Sequence, residues 1–256
     1  MKSVFLTLAL FCAAPALAQS GEALKPSQVL FVGNSYLYYN DSLHNHAVRM
    51  AREAGGEEAP DYNYRSITIS GGSLEHHPIA GYLEPGAVGY AEPFDVVVLQ
   101  GHSAAALSEK RSDSFRKAVA AAAEAAEAHG ATLALYMTHA YAEGHKSYAP
   151  ENIDRIAALY ETAAQAHGAV LIPVGRAFEE ARRRRPDLAL HKEFDYSHPS
   201  LEGSYLAAAT VFATLYGASP VGLDYDYFGA VDDATAAFLQ EVAADVALGA
   251  PAATDG

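Results

Sequence analysis

The chain of 256 residues is long enough for one α/β domain with a full hydrophobic core, or for two small domains at most. Half of the residues are hydrophobic, which excludes an intrinsically disordered protein. The formal net charge of −14 argues against nucleic acid or an anionic membrane surface as the main partner.

The N-terminal segment has the pattern of a cleavable export signal. Lys2 supplies a positive charge, residues 4–14 are nearly all apolar, and residues 16–18 (Ala-Leu-Ala) form a small-x-small cleavage site. The apolar run is too short for a permanent membrane span, so no stable membrane insertion is expected. It holds the sole cysteine, Cys12, and the processed protein would therefore lack thiols and disulfides. We expect residues 1–18 to be a signal peptide and the protein to be periplasmic or secreted.

The remaining chain alternates predicted strands and helices. The strands are predicted at 29–32, 64–69, 96–99, 132–137 and 170–173. Most are continuous apolar runs, as expected for strands buried on both faces of a parallel sheet. Helices are predicted at 42–54, 108–129, 151–167, 174–185, 201–216 and 233–248. Because the composition does not change along the chain, we expect one three-layer α/β/α domain over residues 19–250 and a flexible tail at 251–256.

Polar, glycine-rich or histidine-containing loops follow the predicted strands. They include GNS after the first strand, SGGSLEHH at 70–77, LQGHS at 99–103, THAYAEGH at 138–145, and DYSHP beyond the fifth. Ligands of such folds bind beyond the carboxyl ends of the strands, so these loops predict one site.

Three residues in these loops have the chemistry of acyl transfer. Ser35 follows a buried strand, and Asp195 lies three residues before His198 in a loop that enters a helix. That spacing lets the carboxylate orient one imidazole nitrogen while the other faces a nucleophile. The glycines at 71 and 72 allow backbone N–H groups to approach a developing negative charge.

The motifs VGNSY, SGGSL and DYSHP resemble blocks one, two and five of the SGNH (GDSL-type) hydrolases, in the same order, over residues 29 to 217. The similarity is to bacterial branches that have Gly-Asn-Ser in the nucleophile block. It implies a flavodoxin-like five-stranded parallel sheet, no metal or organic cofactor, and ester hydrolysis through an acyl-enzyme. It also implies Ser35 as nucleophile, His198 as base and Asp195 as the group that orients the base.

One departure from the family concerns the oxyanion hole. Its third block is usually Gly-x-Asn-Asp, whose Asn donates to the oxyanion, but LQGHSAA contains no Asn. Gln100 or His102 could donate instead, and we favour Gln100 because a neutral amide donates at any pH. The predicted oxyanion hole therefore comprises the N–H groups of Ser35 and Gly72 with the Gln100 amide.

Each of these residues also has a purely structural interpretation. Ser35 could cap a helix, Asp195 could be a solvated acid, and His198 could pack at a helix start. Gly72 could belong to a tight turn, and Gln100 could be a buried amide that fixes the loops. The ordered set of blocks favours the catalytic interpretation.

The histidines and the arginine-rich run are not predicted to form a binding site. The eleven histidines lack the spacing of a metal centre, even if His44 and His46 approach His76 and His77, so no metal is predicted. The arginines of EEARRRRPD at 179–187 suit the surface near a helix C-terminus.

The sequence thus predicts an exported serine esterase that acts on carboxylic esters, with O-acetyl groups on a carbohydrate as the preferred substrate. The expected partner is a small-molecule or carbohydrate ester. The alternatives are a non-catalytic carbohydrate-binding protein, a lipase or lysophospholipase, and a histidine-rich metal-binding protein.

Overall fold

A computed structural model describes residues 23–249, so the predicted signal peptide and the C-terminal tail lie outside the described residues. The strands are β1 (Gln28–Gly33), β2 (Asn63–Thr68), β3 (Val96–Gln100), β4 (Thr132–Tyr136) and β5 (Val170–Ile172). The helices are α1 (Ser35–Tyr38), α2 (Leu43–Gly55), α3 (Ile79–Leu83), α4 (Glu109–Ala128), α5 (Asn152–His167), α6 (Val174–Arg184), α7 (Leu201–Tyr216) and α8 (Asp233–Leu248).

The five strands form one parallel sheet in the order β2-β1-β3-β4-β5. This is the flavodoxin-like order, and the predicted α/β/α fold class is confirmed. Alternate residues of β1 enter two different hydrophobic layers. Phe31 belongs to the layer that includes α2, α6, α7 and α8, whereas Leu30 belongs to the layer that includes α3, α4 and α5. The strands β1, β3 and β4 are mostly apolar because both faces of the sheet are covered there, whereas the edge strand β2 is mostly polar.

The predicted elements all occur, and no bound differs from its prediction by more than one residue. Two short helices, α1 and α3, were not predicted because four or five residues are too few to show a helical period. Both lie in loops that follow strands. One of them, α1, carries Ser35.

The helix that follows the DYSHP loop is held close to the chain leading into that loop. Gly203, in the first turn of α7, permits this approach, since a Cβ there would lie 2.2 Å from the carbonyl oxygen of Leu190. The loop is thereby fixed at the carboxyl edge of the sheet, where the other predicted site loops also lie. No helix among residues 23–249 combines the length and apolar character needed to cross a membrane.

Candidate active site

Ser35 lies where β1 passes directly into α1. Asn34 is the N-cap of α1, and its side-chain oxygen accepts the N–H of Tyr36 at 3.1 Å. The N–H of Asn34 donates to Gln100 Oε1 at 2.9 Å, which ties this turn to the end of β3. Asn34, and not Ser35, therefore caps α1, so the structural alternative for Ser35 does not apply. Ser35 is 8% exposed and presents its hydroxyl from the first residue of the helix.

Asp195 and His198 lie at the end of a loop that folds back on itself. Lys192 N–H donates to the His198 carbonyl oxygen at 2.8 Å, and Ser200 N–H donates to the Leu190 carbonyl oxygen at 2.9 Å. Asp195 Oδ1 accepts the N–H groups of residues 197 and 198 at 3.0 and 3.1 Å, an Asx-type turn that the Asp-Tyr-Ser-His sequence permits. The carboxylate is thus held by the backbone that carries the histidine.

The structure brings the three predicted residues into one hydrogen-bonded chain. His198 Nε2 lies 2.8 Å from Ser35 Oγ, and His198 Nδ1 bonds to Asp195 Oδ2. Burial would raise the pKa of Asp195, but the hydrogen bonds from His198 and the two backbone N–H groups outweigh it and lower this pKa. Asp195 is therefore an anion at neutral pH and orients His198 with Nε2 toward the serine.

Aromatic rings surround this chain. Tyr39 stacks on His198 with ring centroids 4.1 Å apart, and Phe194 lies 6.4 Å from the same ring while 70% of its surface is exposed. Tyr38 and Tyr196 are also exposed. The rim of the site therefore offers several ring faces to a bound molecule.

The predicted oxyanion role of Gly72 does not fit the structure. Its N–H donates to the Ile69 carbonyl oxygen at 2.8 Å and closes a β-turn, so it is already used. Gly71, at the third position of this turn, has φ +64°, which favours glycine. Within residues 23–249, the N–H of Gly71 forms no such bond. In this turn, the N–H that remains unengaged is therefore that of Gly71 and not that of Gly72.

The hydrogen bonds of Gln100 also do not fit its predicted role as an oxyanion donor. Its Oε1 accepts the Asn34 N–H, and its Nε2 donates to the Gly101 carbonyl oxygen. The amide is buried and holds the loops after β1 and β3 together, which is the structural alternative. His102 is different, because its Nδ1 accepts the Ala104 N–H at 2.9 Å and leaves Nε2–H available in the neutral ring. Burial, Arg111 and His76 all lower the pKa of His102 and favour that neutral form.

The sequence did not single out Asn40, yet it links the serine loop to the histidine loop. Its Nδ2 lies 2.9 Å from the Pro199 carbonyl oxygen and 2.7 Å from that of Ser200. Asn40 adopts φ +52°, a conformation that Asn tolerates better than most residues. An Asn in a turn is too common to have revealed a contact 159 residues away.

Several of the remaining histidines and arginines make structural contacts. His46 bonds to the Asn40 carbonyl oxygen and to the Tyr225 hydroxyl, and His77 bonds to the Gly33 carbonyl oxygen. In the described part of the chain, no three His, Cys, Asp or Glu side chains are grouped as metal ligands would be. The arginines at 182–184 pair with acidic side chains of α6 and α8.

The buried histidines make stability depend on pH. Burial lowers the pKa of His46, His77 and His139, so the folded protein resists protonation that the unfolded chain accepts below about pH 6.5. The unfolded state then binds more protons, and the free energy of unfolding must fall as the pH falls below that value. Each additional proton that the unfolded state binds lowers the free energy of unfolding by about 1.4 kcal/mol per pH unit.

We therefore predict that urea unfolding at pH 7.5, 6.5 and 5.5 will give progressively lower free energies of unfolding. His139→Phe should weaken this pH dependence, because one buried titrating group is removed. Phe178→Leu is the matched control: it removes a ring that stacks on His139 but no titrating group, and should keep the wild-type pH dependence. Equal pH dependence in wild type and His139→Phe would refute the prediction for His139.

The comparisons with known proteins agree with this architecture. No family model and no curated protein sequence matches the chain. Among solved structures, a DUF4886 family protein from Bacteroides uniformis has 19% identity and a TM-score of 0.63, covering 85% of this chain and 93% of its own. A protein from Slackia heliotrinireducens that is assigned to the SGNH hydrolases has 26% identity and a TM-score of 0.58, covering 73% of this chain and 97% of its own. The acetylxylan esterase Axe2 of Geobacillus stearothermophilus has 15% identity and a TM-score of 0.57, covering 76% of this chain and 96% of its own.

Fold and site together define a hydrolase of the three-layer α/β/α class with its reactive groups at the carboxyl edge of a parallel sheet. At 26% identity, the structure from Slackia heliotrinireducens supports the SGNH (GDSL-type) hydrolase superfamily, which is the one that the motifs predicted.

Proposed function

We propose that the protein is a serine esterase that hydrolyses carboxylic esters through an acyl-enzyme. The observation that carries this proposal is the bonded chain from Ser35 Oγ through His198 to Asp195. A nucleophile, a base within 2.8 Å and a carboxylate that orients the base are the groups that acyl transfer requires.

In the proposed reaction, His198 Nε2 takes the hydroxyl proton of Ser35 as the oxygen attacks the ester carbonyl carbon. Asp195 stabilises the imidazolium that forms. The N–H groups of Ser35 and Gly71 stabilise the oxyanion, with His102 Nε2–H as the side-chain donor. His198 then protonates the departing alcohol, and water, activated by the same nitrogen, releases the acid and restores Ser35.

For the substrate, we propose O-acetyl groups on a carbohydrate. The exposed ring of Phe194 beside His198, and that of Tyr38, which stacks on Tyr39, suit the stacking of sugar rings. The cleft of about 480 Å³ that contains Gly71 and His102 is lined mainly by polar side chains. Such a lining suits a hydroxyl-rich alcohol better than a long acyl chain. Structural neighbours that act as acetylxylan esterases support the same choice. We also propose that residues 1–18 direct export, which would place the enzyme where polysaccharides occur.

The test is hydrolysis of p-nitrophenyl acetate, butyrate and octanoate by the purified protein, together with acetate release from acetylated xylan. We expect the acetate ester to have the highest kcat/KM of the three and acetylated xylan to release acetate. A preference for octanoate would favour the lipase alternative. Binding of acetylated xylan without turnover of any ester would overturn the esterase proposal in favour of a carbohydrate-binding protein.

A further inference from the structure

A buried histidine lies between two aromatic rings, outside the triad formed by Ser35, His198 and Asp195. His139, in the loop after β4, stacks on Tyr36 with ring centroids 4.3 Å apart and planes 10° apart. Its other face stacks on Phe178 of α6 at 4.3 Å and 7°. Only about 1% of the surface of His139 is exposed, so it does not meet a substrate directly.

His139 and Tyr36 converge on a single residue of the triad loop. His139 Nε2–H donates to the Ser197 carbonyl oxygen at 2.9 Å, and the Tyr36 hydroxyl lies 2.9 Å from Ser197 Oγ. Ser197 lies directly before His198, and its own N–H is one of those held by Asp195. We call Tyr36, His139 and Ser197 the Ser197 clasp.

The clasp joins the two halves of the active site. Tyr36 is adjacent to the nucleophile in the first turn of α1, whereas Ser197 is adjacent to the base, 161 residues away. No member of the triad makes either of these two bonds. Losing one of them would free the 195–198 turn to shift relative to α1, and the distance between Ser35 Oγ and His198 Nε2 would change with it.

We propose that His139 is a positioning residue that, with Tyr36, holds the Ser197 turn so that His198 Nε2 faces Ser35. This inference rests on the proposed function, because it assigns His139 a part in the same reaction. A misplacement of about 1 Å between reacting groups can cost on the order of 100-fold in rate. The clasp therefore acts on the chemical step and leaves substrate contacts unchanged.

The electrostatic environment of His139 suits this part. The bond to a carbonyl oxygen requires a proton on Nε2, and among the described residues Nδ1 has no partner. Burial, His191 and His198 lower the pKa of His139, which keeps the ring neutral beside the base. A neutral ring with one fixed N–H can orient the turn without adding charge next to His198.

Two substitutions at 139 separate the hydrogen bond from the ring stack. His139→Phe keeps a ring between Tyr36 and Phe178 but cannot donate, whereas His139→Gln can donate from a similar position but cannot stack. We expect His139→Phe to lower kcat for p-nitrophenyl acetate about 10- to 100-fold with KM changed less than about twofold. His139→Gln should recover at least several-fold of that loss, and Tyr36→Phe should lower kcat about 3- to 10-fold.

Tyr216→Phe is the control for the loss of a buried hydroxyl. The Tyr216 hydroxyl bonds to the Tyr64 hydroxyl and to the Pro26 carbonyl oxygen, away from the active site, so kcat should stay within twofold of wild type. The rate at which a fluorophosphonate labels Ser35 gives a second readout that needs no ester substrate, and it should fall in His139→Phe and Tyr36→Phe.

Wild-type kcat and labelling rate in a folded His139→Phe variant would overturn the inference. If His139→Phe does not fold, unchanged kcat in Tyr36→Phe would overturn it, and a loss confined to kcat would support it. A wild-type protein that hydrolyses no ester would instead overturn the proposed function. The labelling rates of the variants would still decide the part played by His139.

Discussion

Ser35→Ala is expected to lower kcat for p-nitrophenyl acetate by about 1,000-fold or more, the scale on which serine hydrolases lose activity without their nucleophile. The Ser35 hydroxyl lies 2.8 Å from His198 Nε2. Among residues 23–249, no other candidate nucleophile forms a hydrogen bond with this nitrogen. Without it, no acyl-enzyme can form, whereas the loops that bind substrate are unchanged. The measurement is steady-state kinetics of wild type and variant, with thermal unfolding to confirm that both are folded.

Ser112→Ala is the matched control. Ser112 is 8% exposed, as is Ser35, and its hydroxyl donates to the Ala105 carbonyl oxygen at 3.0 Å. Its loss should cost about 1 kcal/mol of stability and leave kcat within twofold of wild type. Comparable activity in Ser35→Ala and Ser112→Ala would contradict the assignment of the nucleophile.

Asp195→Asn is expected to lower kcat by about 100- to 10,000-fold with little change in KM. Asp195 Oδ1 accepts two backbone N–H groups, so the oxygen of an Asn side chain would take that position. The amide NH₂ would then face His198 Nδ1 and donate to it. His198 would carry its proton on Nε2, facing Ser35, and could not accept the serine proton.

Asp232→Asn is the control for Asp195→Asn. Asp232 also accepts a backbone N–H, that of Thr235 at 3.1 Å, and caps α8 away from the site. This variant should retain wild-type kcat and lose at most about 1 kcal/mol of stability. If Asp195→Asn retained more than about half of wild-type kcat, Asp195 would not be the group that orients His198.

Most of the fold could be predicted because a parallel sheet covered on both faces requires a recognisable pattern of apolar residues in the sequence. The central strands are continuous apolar runs, and helices of eleven residues or more separate or follow them. The short helix α1 shows no helical pattern in the sequence, since its four residues take their conformation from the Asn34 cap and from packing.

The side chains of the triad could also be predicted, because Ser35, Asp195 and His198 stand in short motifs with distinctive residue types. The hydrogen bonds of the predicted oxyanion donors, Gly72 and Gln100, could not. Which N–H of the Gly71–Gly72 pair is free depends on the turn that Ile69 closes, and Gln100 is engaged by an Asn34 N–H that is 66 residues away in sequence. The Ser197 clasp was missed for the same reason, since its members come from helix α1 and from two separate loops.

The most direct measurement is covalent labelling of the purified protein with a fluorophosphonate, followed by intact mass and peptide mapping. We predict one adduct per chain, on Ser35, formed at least about 100-fold more slowly in His198→Gln because the base is absent. Absence of an adduct, or an adduct on another residue, would contradict the claim that Ser35 is a nucleophile activated by His198. An equal labelling rate in His198→Gln would contradict it as well.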